Sequence, residues 1–243
     1  MNNFVVEIGN TAVKAAWTEG TVLGKTFRYQ GEKVRDFIVS SVKNEKPAVM
    51  VIASAYEISA SDKALYAGLC GKLVVLDGSD NEFVNDKNIP GWLSPDRAAS
   101  IIAARHLFKN KSFTLFDFGT TLTVDMVNAD GTYGGGNISL GCRTRFKALN
   151  RYSRSLPLVS TPDDTPLLGT DFTTSITSGI ISGIMFEIEG YLSSNSSDII
   201  VFTGGDANYF AKRMKNSIFV ICNLVLMGLA LIADKYYVKR NVE

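Results

Sequence analysis

One short pattern occurs twice and constrains this chain more than any other feature: an acidic residue with a glycine two positions on and a threonine just beyond it, closing an apolar strand. The first copy is Glu7-Ile8-Gly9-Asn10-Thr11 after Phe4-Val5-Val6, and the second is Asp117-Phe118-Gly119-Thr120-Thr121 after the apolar run 113–116. Alternating β-type residues follow each copy and lead to a further turn, Gly20-Thr21 or Gly131-Thr132. The repetition predicts a duplicated β-hairpin unit, so the fold must hold the same supersecondary structure in both halves. The residue types point to a polyanionic ligand. Glycine lets backbone N–H groups approach a phosphate, threonine adds a hydroxyl donor, and a carboxylate beside the turn can hold a hydrated metal ion.

Periodicity extends the duplication beyond the hairpins. Strands are predicted at 4–8, 11–18 and 21–29, an amphipathic helix near 31–43, a buried strand at 48–53, a helix at about 59–69 and a strand at 73–76. A polar loop over 77–93 and a helix starting near Ser94 complete the first half. The second half opens with the repeat at 113–136 and continues with helices near 142–154 and 172–193, a strand at 199–203, a helix from about 206, a strand at 218–221 and a final helix. Two βββαβα halves thus follow one another with no Pro/Ser-rich linker, and the domains expected are 1–111 and 112–243. This tandem order resembles the duplicated ribonuclease H-like α/β fold of the actin, hexokinase and acetate kinase superfamily. That resemblance implies a nucleotide in the cleft between the halves, with both hairpin turns closing on its phosphates. No G-x-x-x-x-G-K-[ST] sequence occurs, which disfavours a P-loop.

Composition removes several classes of function. With 46% hydrophobic and 20% charged residues the chain forms a core, and its net charge of +1 supplies no basic stripe for nucleic acid or an anionic membrane. The three cysteines, Cys70, Cys142 and Cys222, are widely spaced without a C-x-x-C pair, which fits buried thiols in a reducing cytoplasm. No secretory signal is read at the N-terminus, and the apolar stretch 219–233 is too short for a membrane span and contains Asn223. The single histidine, His106, sits in a helical run at the spacing of a core or flank residue, so Ser-His-Asp, Cys-His and multi-histidine metal chemistry are disfavoured. Phosphoryl transfer survives this elimination, since it asks mainly for placed charges, a metal ion and one carboxylate.

Ser94-Pro95-Asp96-Arg97 reads locally as a helix start: Ser at the N-cap, Pro at N1 and Asp in the first turn, where it complements the helix dipole. The adjacent Arg97 adds a second reading. An Asp-Arg pair at a helix N-terminus is suited to hold a small carboxylate ligand while Asp96 accepts a proton from its hydroxyl.

With these residues in place the chain resembles the type III pantothenate kinases over nearly its whole length. The family's Asp-x-Gly-Asn-Thr is similar to Glu7 to Thr11, its Gly-x-Asp-Arg to Ser94 to Arg97, and its Asp-x-Gly-Thr-x-x-Thr-x-Asp to Asp117 through Asp125. Its Gly-Gly-x-Ile-x-Pro-Gly resembles Gly135 through Gly141, and its Leu-Pro is Leu156-Pro157. Its Thr-Gly-Gly resembles Thr203-Gly204-Gly205, and its Asn-Leu-x-Leu-x-Gly-Leu is similar to Asn223 through Leu229.

The resemblance implies ATP-dependent phosphorylation of pantothenate at the start of coenzyme A synthesis. It implies Asp96 as general base, with Ser94, Pro95 and Arg97 at the substrate. Glu7, Ile8, Gly9, Asn10, Thr11, Ala12, Val13 and Lys14 would form the first ATP phosphate turn, and Gly119 and Thr120 the second. Gly204 and Gly205 would lie near adenosine, Mg²⁺ would bridge ATP oxygens, and Asp117 would lie at a site for K⁺ or NH₄⁺. A homodimer is also implied. Several positions depart from the pattern: Glu7 replaces Asp, Ser94 replaces Gly, Leu140 replaces Pro, Lys87 stands where the family has a substrate-contacting Tyr, and Phe172 where it has a substrate-contacting Thr. Thr170, Thr173 or Thr174 could supply that hydroxyl in a shifted register. Two other functions share these features, a nucleotide-binding regulatory or accessory relative and a kinase for another small hydroxy acid or sugar.

Overall fold

The computed structural model describes residues 2–78 and 88–240, the side chains of 236–240 excepted. Contacts divide the chain into two units, 1–109 with 223–243 and 110–222.

In the first unit, β1 (Asn2–Ile8), β2 (Val13–Glu19) and β3 (Val22–Tyr29) form an antiparallel meander. Then come α1 (Val34–Ser41), β4 (Val49–Ser54), α2 (Ala60–Leu69), β5 (Lys72–Leu76) and α3 (Pro95–Leu107). The sheet order is β3-β2-β1-β4-β5, with β4 parallel to β1 and β5 parallel to β4. Strand β4 reads Val-Met-Val-Ile-Ala-Ser and is buried at every position, as a parallel strand covered on both faces should be. On one face Phe4, Val6, Ile8, Val13 and Ala15 form a core with Ile38 of α1 and Tyr66 of α2. The alternate residues of β1 face the other side, where α7 (Leu224–Arg240) packs on β1 and β4.

The second unit repeats the plan. Strands β6 (Phe113–Phe118), β7 (Thr121–Val127) and β8 (Tyr133–Leu140) form the meander, followed by α4 (Cys142–Tyr152), α5 (Phe172–Ser194), β9 (Ile199–Gly204), α6 (Ala207–Ala211) and β10 (Phe219–Val220). The order β10-β9-β6-β7-β8 matches that of the first sheet strand for strand. Phe116, Phe118 and Phe202 of the central strands pack with Phe210 of α6 and with Ile180, Ile184 and Ile188 of α5. The repeated hairpins therefore lie within two α/β layers of one topology.

The final helix departs from the simple division at 111/112. Although last in sequence, α7 belongs with the first unit because it packs on α3 as well as on β1 and β4. Small residues make that approach possible. The buried side of α3 carries Ala98, Ala99, Ala103 and Ala104, and Gly228 of α7 lies against the Ala99 carbonyl, where an added Cβ would collide with the oxygen. Both chain crossings between the units start at an asparagine in the left-handed region, Asn110 at φ 57° and Asn223 at φ 58°, a conformation Asn tolerates better than most residues. The expected strand at 218–221 narrows to the two residues of β10, paired with Val201 and Phe202.

Gly228→Ala should lower stability by about 1–3 kcal/mol through overpacking of α7 on α3, read as a shift in the urea midpoint. An unchanged midpoint would contradict this close packing.

Candidate active site

The first turn connects β1 to β2 and is closed by a hydrogen bond from Gly9 N to Ala12 O of 3.1 Å. It sits at the carboxyl end of β1 beside the carboxyl end of β4, since Ile8 pairs with Ser54. In open α/β sheets ligands bind at such strand ends. Asn10 and Thr11 at the tip are exposed, whereas Ile8 and Val13 at its base are buried in the core. Register places Glu7 directly opposite Lys14. The Lys14 ammonium donates to both carboxylate oxygens of Glu7, at 3.1 and 3.0 Å. Sequence alone suggested Lys14 as a phosphate partner; its engagement with Glu7 follows from the hairpin register and was not foreseen.

Helix α3 brings the next group to the same place. Ser94 is its N-cap residue, with its carbonyl accepting from Ala98 N at 3.0 Å. Its side chain makes no capping hydrogen bond, contrary to the usual role of serine at that position. Pro95 occupies N1 and is buried, and Asp96 lies half-buried in the first turn. Arg97 is only 5% exposed, and its guanidinium carbon stands 5.9 Å from the centroid of the Trp92 ring. Burial of an arginine to this degree fixes its planar fork, which favours oriented carboxylate recognition.

Charge couples these elements. Burial pushes the Glu7 carboxyl above its ordinary range, the Lys14 ammonium and its hydrogen bond pull it back, the Asp96 carboxylate pushes it further up, and Arg28 of β3 opposes the rise. The N-terminus of α3 thus lies within electrostatic reach of the first turn, a proximity between residues far apart in sequence.

The second turn is built alike and fastened more heavily. Gly119 N donates to Thr121 O at 3.0 Å, while the Thr120 carbonyl accepts from Gly141 N at 3.0 Å and from Thr144 Oγ1 at 2.6 Å. Gly141, the N-cap of α4, lies so close to the Gly119 carbonyl that a side chain there would collide with it. Strand β9 delivers the Gly-Gly segment to the same end: Asp117 pairs with Thr203 and Phe118 with Gly204. Gly204 adopts φ +93°, and a Cβ on it would overlap the Asp117 carboxylate and the Phe118 backbone. Glycine is therefore required here both for the turn and for space. Asp206 follows, its N–H directed at Phe118 O at 3.4 Å and its carboxyl raised by burial against the opposing pull of Arg143. Asp117, Gly119, Thr120, Gly204 and Gly205 form one cluster.

Phe172 opens α5 and is 71% exposed. Thr174 is committed to the capping box with Asp171, and Thr177 bonds back to the Thr173 carbonyl. Thr170 and Thr173 are exposed, so of the three candidate hydroxyls Thr174 is the one already engaged. Lys87 lies outside the described residues. The partners of two further carboxylates, the buried Asp125 and the half-buried Glu187, were not foreseen from sequence. Asp125 accepts from Tyr133 Oη at 3.0 Å, and Glu187 accepts from Ser139 Oγ at 2.7 Å and from Arg145, tying α5 to β8 and α4. Both were hidden because the partners meet only through strand pairing and helix packing.

The raised carboxyl of Glu7 has a defined consequence for stability. A carboxyl whose pKa is higher folded than unfolded favours the native state at low pH, and this contribution is lost as pH rises from about 4.5 through the folded value. Compared at each pH, the wild type should lose stability relative to Glu7→Gln across that window, measured by urea denaturation from pH 5 to 8. A constant difference between the two proteins would refute it.

Comparison with known proteins agrees with this geometry. The family model of type III pantothenate kinase matches residues 3–194. A type III pantothenate kinase of Azobacteroides pseudotrichonymphae is 34% identical over 236 residues, covering 93% of each chain. Among solved structures, the activator of the 2-hydroxyisocaproyl-CoA dehydratase from Clostridium difficile with bound ADPNP superposes with a TM-score of 0.61 at 12% identity, covering 100% of this chain and 97% of that one. The ROK hexokinase from Thermus thermophilus gives 0.55 at 11% identity, covering 99% and 100%. These two show the fold alone, a duplicated α/β architecture. The match across most of the chain, with the Asp-Arg helix start and both glycine turns in place, shows that the chain belongs to the type III pantothenate kinase family.

Proposed function

We propose that this protein phosphorylates the primary hydroxyl of pantothenate with ATP, giving 4′-phosphopantothenate and ADP, the first step of coenzyme A biosynthesis. The observation that carries the reading is the position of Asp96. It stands in the first turn of α3 with its charge acting on Glu7 at the base of the first phosphate turn, which supports a proton acceptor beside a phosphate site.

In this reading Asp96 accepts the hydroxyl proton as the oxygen forms its bond to the γ-phosphorus and the bond to the leaving ADP oxygen breaks. Arg97, held by burial, takes the pantothenate carboxylate together with backbone N–H groups near Ser94 and Pro95. In the first unit the turn from Glu7 to Lys14 takes phosphate oxygens; in the second unit the turn at Gly119 and Thr120 is read the same way, and Gly204 and Gly205 leave room for adenosine.

The described residues contain no cluster of three or more His, Cys, Asp or Glu side chains able to cage a metal. Mg²⁺ is proposed to arrive with ATP, where it would neutralise the charge on the triphosphate when bound. A monovalent cation, K⁺ or NH₄⁺, is assigned to Asp117, the carboxylate that precedes the second turn, as part of the same reading. A homodimer is part of the same proposal, supported by Ile138, Leu140, Phe172 and Phe186 being exposed on the second unit. No described helix is long and apolar enough to cross a membrane, and a cytoplasmic location accords with the three free cysteines.

A coupled assay of ADP release with pantothenate, ATP, Mg²⁺ and K⁺ or NH₄⁺ tests the proposal. Asp96→Ala and Asp96→Asn should each lower kcat by roughly 10²–10⁴-fold, the usual contribution of a general base, with a much smaller change in KM for ATP. No turnover by the wild type, or undiminished turnover by Asp96→Ala, would overturn it.

A further inference from the structure

Strand register extends the charged row at the first turn by one residue that sequence motifs do not mark. Glu7 pairs with Lys14, and Lys14 pairs with Arg28 on β3. Residues paired across antiparallel strands point to the same face. Phe4, Val6, Ile8, Val13 and Ala15 occupy the face toward α1 and α2, so Glu7, Lys14 and Arg28 share the opposite face.

The three charges are not equally engaged. The Lys14 ammonium is shared between both oxygens of Glu7. Arg28 is exposed and, among the described residues, has no ion-pair partner, yet its charge reaches the Glu7 carboxyl and opposes the effect of Asp96 on it. Two carboxyl groups against a single ammonium would be a poor place for a triphosphate. Arg28 restores the balance from the adjacent strand, roughly 5 Å beyond Lys14.

We propose that Arg28 is a phosphate-binding residue of the nucleotide site, its guanidinium taking oxygens of the ATP triphosphate beside the first turn while Glu7 holds Lys14 in place. This rests on the reading of that turn as a phosphate turn. A planar guanidinium suits the task, since it donates two parallel hydrogen bonds to a phosphate where an ammonium acts as a point charge. The competing role for a cation on an edge strand is to prevent pairing with another sheet. Lys25 provides the control, because it lies on the same strand over the Phe27 ring, on the face toward α1 and α2.

Wild type, Arg28→Ala, Arg28→Lys and Lys25→Ala are compared by steady-state kinetics and by calorimetric titration with a non-hydrolysable ATP analogue and Mg²⁺, after matched thermal melts. Arg28→Ala should raise KM for ATP and weaken analogue binding by about tenfold, the scale of a lost charge-assisted hydrogen bond. Its kcat and its KM for pantothenate should stay within about twofold. Arg28→Lys should recover part of the loss, and Lys25→Ala should match the wild type. Unchanged analogue affinity in Arg28→Ala, an equal loss in Lys25→Ala, or a change confined to pantothenate would each overturn the assignment. The two readings fail separately. A wild type without turnover removes the kinase function, while the titration still decides whether Arg28 binds triphosphate.

Discussion

Each sheet is organised by one central strand that is hydrogen-bonded on both edges, β1 between β2 and β4 and β6 between β7 and β9. Such a strand must satisfy all its backbone groups and bury both faces, so its middle is buried in both sheets, Phe4-Val5-Val6 in β1 and Phe113 through Phe116 in β6. The acidic residue lies one position before the end of each strand, and the glycine turn follows directly. The chemistry of both turns is therefore placed by the cores, since Phe4, Val6 and Ile8 fix Glu7 just as Phe116 and Phe118 fix Asp117.

The two turns share topology but differ in how their carboxylates are used. Glu7 meets a lysine across the hairpin, and its burial works against its charge. Asp117 instead abuts a glycine delivered by a third strand, with no space for a side chain between them. The longer Glu7 stands where relatives of this family carry aspartate by the resemblance of their motifs, and in this chain its reach is spent on Lys14. The departure keeps the charge and adds one methylene, and the turn hydrogen bond from Gly9 to Ala12 is kept.

Much of this arrangement was legible in the chain. Period-2 alternation marked the meanders, and β4 and β6 stood out as continuous apolar runs bounded by turns. The Pro95-Asp96-Arg97 start of α3 follows from local rules at a helix N-terminus. Less visible was the Ser94 side chain, which leaves the cap unmade although its type favours it. The two-residue length of β10 was equally hidden, because a strand's extent depends on its neighbour and β10 pairs with Val201 and Phe202 of β9. Thr174 also shows the limit of spacing: its hydroxyl serves the α5 cap, a use that depends on where the helix begins.

Sequence by itself determined the duplicated hairpins, the glycine turns, the Asp-Arg pair and the family, because each is written in residues within a few positions of one another. Tertiary structure decided which of these groups act together. It placed α7 with the first unit, since an apolar helix carries no address and only the Ala-rich side of α3 lets Gly228 approach so closely. It also set Gly204 against Asp117 and aligned Glu7, Lys14 and Arg28 in one row. Those juxtapositions depend on strand register, which is fixed by packing over the whole sheet and not by any local stretch of chain.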